Sequence, residues 1–180
     1  MKLSYKRAEQ TGELVVHNDP NSGGSEAEIV AQTEVVRGIQ SDLDSAVTMI
    51  NRLELVRGQL SALRAVLASD TTRKDVRDSA DSLDKRLLAV ERKLFQTRIT
   101  GRGQDLVRWP FRTAEQLAYL GQVIGGSDFG PTQSQRDVAR LLHEQVVSIG
   151  VETGQLLEKE LAAFNEMLRG KKLENVIAVR

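Results

Sequence analysis

The sequence predicts a mainly α protein: an elongated antiparallel up-down four-helix bundle with a short β hairpin at its N-terminus. Aliphatic residues recur along most of the chain at the spacing of buried helix faces. Charged residues make up 28% of the chain and aromatic residues only 4%, which is typical of a helical bundle. Residues 2–7 instead alternate polar and apolar side chains, and residues 13–17 are again strand-like.

The hairpin is expected to use residues 2–7 and 13–17 as its strands, with a turn at residues 9–12. Residues 18–20, Asn-Asp-Pro, close it. A lone two-stranded hairpin is only marginally stable in water. It therefore either leans on the helices or belongs to a β domain outside this sequence, and we favour the second interpretation.

The chain divides into a hairpin at 1–20, a flexible linker at 21–25, a bundle at 26–170 and a tail at 171–180. Ser25 and Glu28 match a capping box that predicts a helix start, and Thr132 and Gln135 repeat the pattern. Pro110 suits the first turn of a further helix. The four helices are expected close to residues 26–68, 72–98, 110–124 and 131–169.

Each expected helix carries an apolar face built from steps of three and four residues. In the first helix these are Val36, Ile39, Leu43, Ala46, Ile50, Leu53, Val56, Leu60, Leu63 and Leu67. In the second they are Val76, Ala80, Leu83, Leu87, Val90 and Leu94, and in the third Ala114, Leu117, Leu120 and Ile124. In the fourth they are Val138, Leu142, Val146, Ile149, Leu156, Phe164 and Leu168. Short connections between such helices indicate antiparallel neighbours.

The residue types needed for common catalytic sites are missing. There is no cysteine, no Gly-x-Ser-x-Gly elbow, and the only histidines are His17 and His143. His143-Glu144 is followed by Val147 where a zinc-binding His-Glu-x-x-His motif needs its second histidine. Acidic residues recur two or three apart, as solvated helix faces show in any case. We expect no catalytic residue, no metal site and no cofactor.

Charge and hydropathy argue against two further classes of partner. The 25 basic and 25 acidic side chains cancel, so no global field attracts nucleic acid. No apolar run approaches the roughly 18–20 residues that span a bilayer, so membrane insertion is not expected.

One basic cluster carries the alternative hypothesis of anion or nucleic-acid binding. It contains four arginines: Arg98, Arg102, Arg108 and Arg112. With Trp109 and Phe111 between them, they could hold phosphate or stack on single-stranded nucleic acid. The favoured interpretation is structural, with Arg108 and Arg112 pairing with Asp105 and Glu115 around a buried corner.

Most aromatic residues fall in the same region. Four of the seven are expected to anchor the end of the bundle: Trp109, Phe111, Tyr119 and Phe129. Elsewhere, Gly150 and Gly154 have a spacing that lets another helix approach closely. Apolar residues partly off the main seam, Val35, Leu55 and Val56, could form a homo-oligomer interface.

Three stretches resemble a known family. Residues 106–112 (Leu-Val-Arg-Trp-Pro-Phe-Arg), with 117–120, 127–128 and 131–133, look like the C-terminal helical module of bacterial sortilin-like proteins. Residues 12–20 are similar to the last strand of the small β domain that precedes that module. Residues 163–168 are similar to its closing helix.

The resemblance implies a non-catalytic accessory module of a larger protein. The family's members are β-propellers with BNR (Asp-box) repeats, often labelled glycosyl hydrolases. The Asp-box signature, roughly Ser-x-Asp-x-Gly-x-Thr-Trp, does not occur in this sequence, so no catalytic residue carries over. The implied partner is the propeller or β domain of the same protein, and the implied setting is periplasmic or secreted.

Overall fold

The computed structural model describes residues 2–6 and 8–178, with all their side chains except those of Tyr5 and Leu106. The elements are β1 (Lys2–Tyr5), β2 (Ala8–Thr11), α1 (Glu26–Val66), α2 (Lys74–Leu94), α3 (Asp105–Arg108), α4 (Thr113–Gly125), α5 (Gln133–Gln155) and α6 (Leu161–Gly170). A 3-10 turn, Thr71–Arg73, precedes α2, and a π-helical segment, Leu156–Glu160, joins α5 to α6. The predicted fold class, a mainly helical bundle with an N-terminal β hairpin, is confirmed.

The helices form three rods that pack side by side. Arg57 and Arg64 of α1 bind Asp84 and Asp81 of α2, so α2 runs antiparallel to α1. The packing of α4 on α1 is also antiparallel, because Gly121 faces Ile39 and Gly125 faces Val36. The second rod is therefore α2 followed end to end by α4, and the third rod is α5–α6.

The third rod runs in the same direction as α1. His143 meets Asp42 and Gly150 meets Met49 further along both helices. The chain thus turns back after α1 and after α4 but not between α2 and α4. Short connections indicated the two reversals correctly. The predicted up-down alternation of helix direction does not hold between α2 and α4. These two helices run in the same direction and are joined by a longer connection, residues 95–112.

The long first helix supplies one side of the core over its whole length. At 41 residues it is roughly 60 Å long. The predicted capping box is present, since Ser25 Oγ accepts from Glu28 N at 3.3 Å and Glu28 Oε2 accepts from Ser25 N at 2.9 Å. Six of its predicted seam positions are buried: Ile39, Ala46, Leu53, Val56, Leu60 and Leu67. Val56 is therefore a core residue, which removes it from the predicted oligomer interface.

The core faces of the second rod follow the sequence closely. Every predicted apolar position of α2 and α4 is buried. Beside them, Arg57 reaches across from α1 to Glu91 and Asp84, and Glu91 is only 3% exposed. Burial lowers the pKa of Arg57, but hydrogen bonds and the charges of Glu91 and Asp84 outweigh burial, so the pKa is raised overall.

The third rod begins with the second predicted capping box and contains one irregularity. Thr132 N donates to Gln135 Oε1 at 2.8 Å, and Gln135 N donates to Thr132 Oγ1 at 3.2 Å. Its buried positions include Thr153, Leu157 and Leu161, which are four apart. Repeated steps of four drift around an α-helix of 3.6 residues per turn, and the wider π-helical turn keeps Leu157 and Leu161 facing the core. Val138, predicted to be core, is exposed.

The N-terminal hairpin differs from its predicted register. Tyr5 pairs with Ala8 and Lys2 with Thr11, so the chain reverses between Tyr5 and Ala8, and residues 13–17 form no strand. Lys6 has φ 54°, the left-handed conformation of a tight two-residue turn. Such a turn closes the hairpin earlier than the predicted turn at 9–12. Met1 and Arg7 of the predicted hairpin, and residues 179–180 of the predicted tail, lie outside the described residues.

Candidate interaction site

The predicted basic corner, residues 98–112, lies in the connection 95–112, which is looped out where α2 meets α4. Three side chains join the two helix ends behind it. Glu115 accepts from Gln96 N and Arg112 N, both at 2.8 Å. Buried Gln96 donates to Pro110 O at 3.2 Å, and the buried Thr113 hydroxyl donates to Lys93 O at 3.1 Å. Because Glu115 satisfies the N–H of Arg112, α4 begins at Thr113 rather than at Pro110.

Inside the corner, a carboxylate already occupies the turn that could have held an anion. Asp105 Oδ2 accepts from Thr100 N at 2.7 Å, from Thr100 Oγ1 at 2.6 Å and from Arg102 N at 3.4 Å. Gly101 and Gly103 have φ of 74° and 61°, which glycine adopts without strain. These hydrogen bonds, chiefly those from Thr100, hold the pKa of the Asp105 carboxyl below its usual value.

The four arginines of the corner do not converge. The Arg98 guanidinium carbon lies 4.5 Å from the centroid of the Trp109 ring, a cation–π contact. Arg102, Arg108 and Arg112 are exposed and form no ion pair within the described part of the chain. The expected pairing of Arg108 and Arg112 with carboxylates is therefore wrong, because Asp105 and Glu115 accept from backbone N–H groups instead.

The four aromatic residues expected to anchor the bundle end lie apart. Trp109 is half-buried under Arg98. Phe111 and Tyr119 form a tilted pair with ring centroids 6.4 Å apart, but Tyr119 is 61% exposed. Phe129 lies at the α4–α5 loop and is 58% exposed. They do not form the single plug that the sequence suggested, since Trp109 stacks with Arg98, Phe111 pairs with Tyr119 and Phe129 packs on Gly23.

A polar cavity of about 420 Å³ lies beside the joined ends of α2 and α4, against α5. Its lining includes Phe111, Arg112, Gln145, Ser148 and the ion pair of Lys93 with Glu152. Lys93 Nζ and Glu152 Oε2 are 2.6 Å apart, so these charges offset each other. Arg112, also in the lining, has no ion pair within the described part of the chain, which suits a small anionic group.

The predicted flexible linker is held against the end of the bundle formed by the α4–α5 loop. Buried Gly24 approaches the α4–α5 loop so closely that a Cβ there would lie 2.0 Å from Asp128 O. The Phe129 ring covers Gly23, where a Cβ would lie 3.1 Å from the ring. Asn18 Nδ2 donates to Gly24 O at 3.0 Å. Residues 18–24 therefore leave the bundle along a defined path.

A glutamine that the sequence analysis missed organises the same end. Gln32 Nε2 donates to Ile124 O at 2.7 Å and to Ser127 O at 2.5 Å, which binds the end of α4 to α1. Its sequence signal is weak, because a polar residue on a long helix is usually solvated. The roles of Gln96 and Glu115 were missed for the same reason, although Gln96 directly follows the last core positions of α2.

The two strands of the hairpin differ from the corner and the linker in their contacts. β1 and β2 contact each other and no helix among the described elements. Every described side chain from residue 2 to residue 17 is exposed, including three consecutive apolar ones, Leu14, Val15 and Val16. An apolar run of this kind in full solvent is unusual for a completed fold.

Groups associated with catalysis or metal binding are not gathered at these sites. Within residues 2–6 and 8–178, no three acidic, histidine or cysteine side chains are placed to share a metal ion. His143 Nδ1 lies 2.8 Å from Asp42 Oδ1, so this histidine joins α5 to α1. None of the described helices combines the length and hydropathy that a membrane span requires.

Comparison with protein-family models, with curated proteins and with solved structures found no match. The functional proposals therefore rest on the geometry of the molecule and on the resemblance of residues 12–20, 106–133 and 163–168 to the sortilin-like family.

Proposed function

We propose that this chain is a non-catalytic helical module of a larger sortilin-like β-propeller protein, in which it packs beside a β domain as a structural or protein-interaction part. The observation that carries the proposal is the hairpin. It presents two strands, each hydrogen-bonded along one edge only, next to the exposed run Leu14–Val16.

Unpaired strand edges are a common means of protein association. The outer N–H and C=O groups of β1 and β2 are available to a strand of another sheet, which would add main-chain hydrogen bonds. The same addition would cover Leu14, Val15 and Val16. Because a free two-stranded hairpin is marginal, a neighbouring sheet also supplies the stability that this hairpin lacks.

The bundle is suited to holding that hairpin in place. The docking of Gly24 on Asp128 and of Phe129 on Gly23 fixes where the chain leaves the bundle. Only residues 12–17 separate this docked segment from β2. A β domain that receives the hairpin would therefore lie near the end of the bundle formed by the α4–α5 loop.

The reading frame upstream of Met1 tests the proposed parent protein. We expect an in-frame continuation that encodes a β domain and repeats of the Asp-box type. An in-frame stop codon directly upstream would contradict the proposal.

Homo-oligomerisation stays a prediction. Leu55 is exposed and Val35 is half-buried, so both remain available to an interface between copies. Sedimentation at high protein concentration measures the oligomeric state. A monomer throughout would contradict the prediction.

The alternative is an anion- or nucleic-acid-binding bundle that uses residues 98–112. The polar cavity beside Arg112 favours it for a small anion. Two contacts count against a polyanion: Asp105 fills the glycine turn, and Arg98 is stacked on Trp109. Trp109 is the only tryptophan, so its fluorescence reports any ligand at the corner.

The alternative is tested by titrating a single-stranded oligonucleotide, and separately inorganic phosphate, into the protein at low salt. We expect no saturable change in Trp109 fluorescence at micromolar protein. A saturable change that is lost in Arg102→Ala/Arg108→Ala or in Arg112→Ala would establish the alternative. Arg37→Ala, an exposed arginine on α1, is the matched control.

A further inference from the structure

The C-terminal segment, residues 173–178, does not hang free as a tail. After α6 the chain reverses at Lys172, and Leu173 N donates back to Leu168 O at 2.9 Å. The segment then lies extended in a groove between α6 and α1. Val176 is 5% exposed, and Leu173 and Ala178 pack against the core.

Two side-chain amides hold consecutive residues of this segment by their backbone. Asn165 of α6 donates through Nδ2 to Val176 O and accepts from Val176 N, both at 2.8 Å. Gln59 of α1 donates through Nε2 to Ile177 O at 2.7 Å and accepts from Ile177 N at 2.9 Å. Each amide thus takes the place of a peptide group in a neighbouring strand.

In this arrangement, the main chain of the segment and its side chains are recognised by different contacts. The amides of Asn165 and Gln59 bind main-chain groups that every non-proline residue offers. The buried position of Val176 accepts an aliphatic side chain, whereas Ile177 points to solvent and is 62% exposed. A β-strand ligand is recognised in the same way, with backbone bonds for affinity and alternate side chains for selectivity.

The hinge that carries the segment is strained. Lys172 has φ 57°, a conformation that glycine usually supplies after the end of a helix. The contacts in the groove must outweigh this strain in the closed form. Release of the segment relieves the strain at Lys172. A hinge with lysine at this position therefore favours exchange of residues 173–178 more than a hinge with glycine would.

We propose that the groove between α1 and α6 is a binding site for an extended peptide with an aliphatic residue at the Val176 position, and that residues 173–178 are its resident ligand. The same segment supplied by a separate peptide binds there once the covalent link is cut. This site is independent of the hairpin and of the proposed β domain.

The full chain with a protease site inserted between Gly170 and Lys171 tests the proposal. After cleavage, we expect the C-terminal fragment to co-elute with the bundle and to be displaced by a labelled synthetic peptide of residues 171–180. The uncut chain should take up the labelled peptide at least tenfold more weakly, because its own segment occupies the groove. Equal uptake by cut and uncut chains would overturn the proposal.

A matched peptide isolates the role of the main chain. Methylation of the backbone nitrogens of Val176 and Ile177 removes both N–H donors and keeps every side chain. We expect this peptide to bind the cut protein at least tenfold more weakly, and Gln59→Leu or Asn165→Leu to weaken the unmodified peptide similarly. Unchanged binding of the methylated peptide would refute the site.

Loss of structure on cutting is also informative. If the bundle unfolds when the fragment leaves, saturating synthetic peptide should restore its helical circular dichroism, and failure to restore it would overturn the proposal. If the bundle stays helical and binds no peptide, the proposal is likewise wrong. Val151→Ala, an exposed position on α5, is the control for general effects of substitution.

Discussion

At the scale of single residues, Glu115 is the side chain that joins the two ends of the corner. Its carboxylate accepts from the backbone N–H of Gln96, at the end of α2, and of Arg112, just before α4. One residue thus satisfies donors on both sides of the looped-out residues. Glu115 thus holds the two ends of the corner together, whereas the exposed arginines lie on its solvent side.

Removal of the Glu115 carboxylate should therefore destabilise the whole bundle. We expect Glu115→Ala to lower the free energy of unfolding by about 1–3 kcal/mol, because two backbone donors lose their acceptor. Urea denaturation followed by circular dichroism measures the change. Glu144→Ala, an exposed carboxylate paired only with Arg140 on the same helix, should stay within about 0.5 kcal/mol. Equal losses in the two variants would contradict the role assigned to Glu115.

Asp105 should make the corner sensitive to acid. Its folded pKa is lowered by hydrogen bonds from Thr100, so the stability it contributes is present above the ordinary Asp value and lost as pH falls through the folded pKa. We expect Trp109 emission to change below about pH 4. Asp105→Asn should remove that step. A step of the same size in the variant would show that another group is responsible.

At the scale of the elements, two glycines of α1 and one of the linker have opposite roles. Gly38 and Gly58 lie on an exposed face, where a Cβ would meet nothing within 4 Å. They weaken α1 and admit no close neighbour. Gly24 instead permits the linker to touch the α4–α5 loop, because a Cβ would lie 2.0 Å from Asp128 O.

The two positions predict opposite effects of alanine. Gly58→Ala should stabilise the protein by about 0.5–1 kcal/mol, since alanine favours the helix. Gly24→Ala should destabilise it by about 1–3 kcal/mol through the clash with Asp128 O. Thermal and urea unfolding of both variants measure the effects. Stabilisation by Gly24→Ala would show that the linker is not docked.

The sequence predicts the elements better than their arrangement. Both capping boxes and the buried faces of α2 and α4 follow from local spacing, which a sequence displays directly. The end-to-end placement of α2 and α4 depends on Gln96, Thr113 and Glu115 meeting across the connection 95–112, and no local pattern encodes that meeting. The hairpin register was missed because the turn conformation at Lys6 closes the hairpin before residues 13–17, whose apolar composition is typical of a strand.

The candidate site was less predictable than the fold. Sequence reasoning placed arginines and aromatics together correctly along the chain but assigned them ion pairs and burial that they lack. Backbone N–H groups compete for the same carboxylates, and this competition is visible only once the turns are formed. The capture of residues 176–177 by Gln59 and Asn165 likewise joins parts of the chain that are distant in sequence.

At the scale of the whole molecule, the chain forms a helical bundle with one core and an N-terminal hairpin that adds none of its described residues to that core. The core extends through all three rods, and residues 173–178 complete it. The formal charge is zero, so no long-range field selects a partner. Within the described residues, β1 and β2 have open edges and contact no helix, and Leu14, Val15 and Val16 are exposed, which is why we propose a protein-interaction role for this part of the chain.

Backbone hydrogen exchange of β1 and β2, in this chain alone and in the proposed longer protein, tests that proposal most directly. We expect β1 and β2 to exchange close to the unfolded rate in the isolated chain, while α1 is strongly protected. In the longer protein the same strand amides should become protected. Slow strand exchange in the isolated monomer, or equal strand exchange in both proteins, would contradict the account.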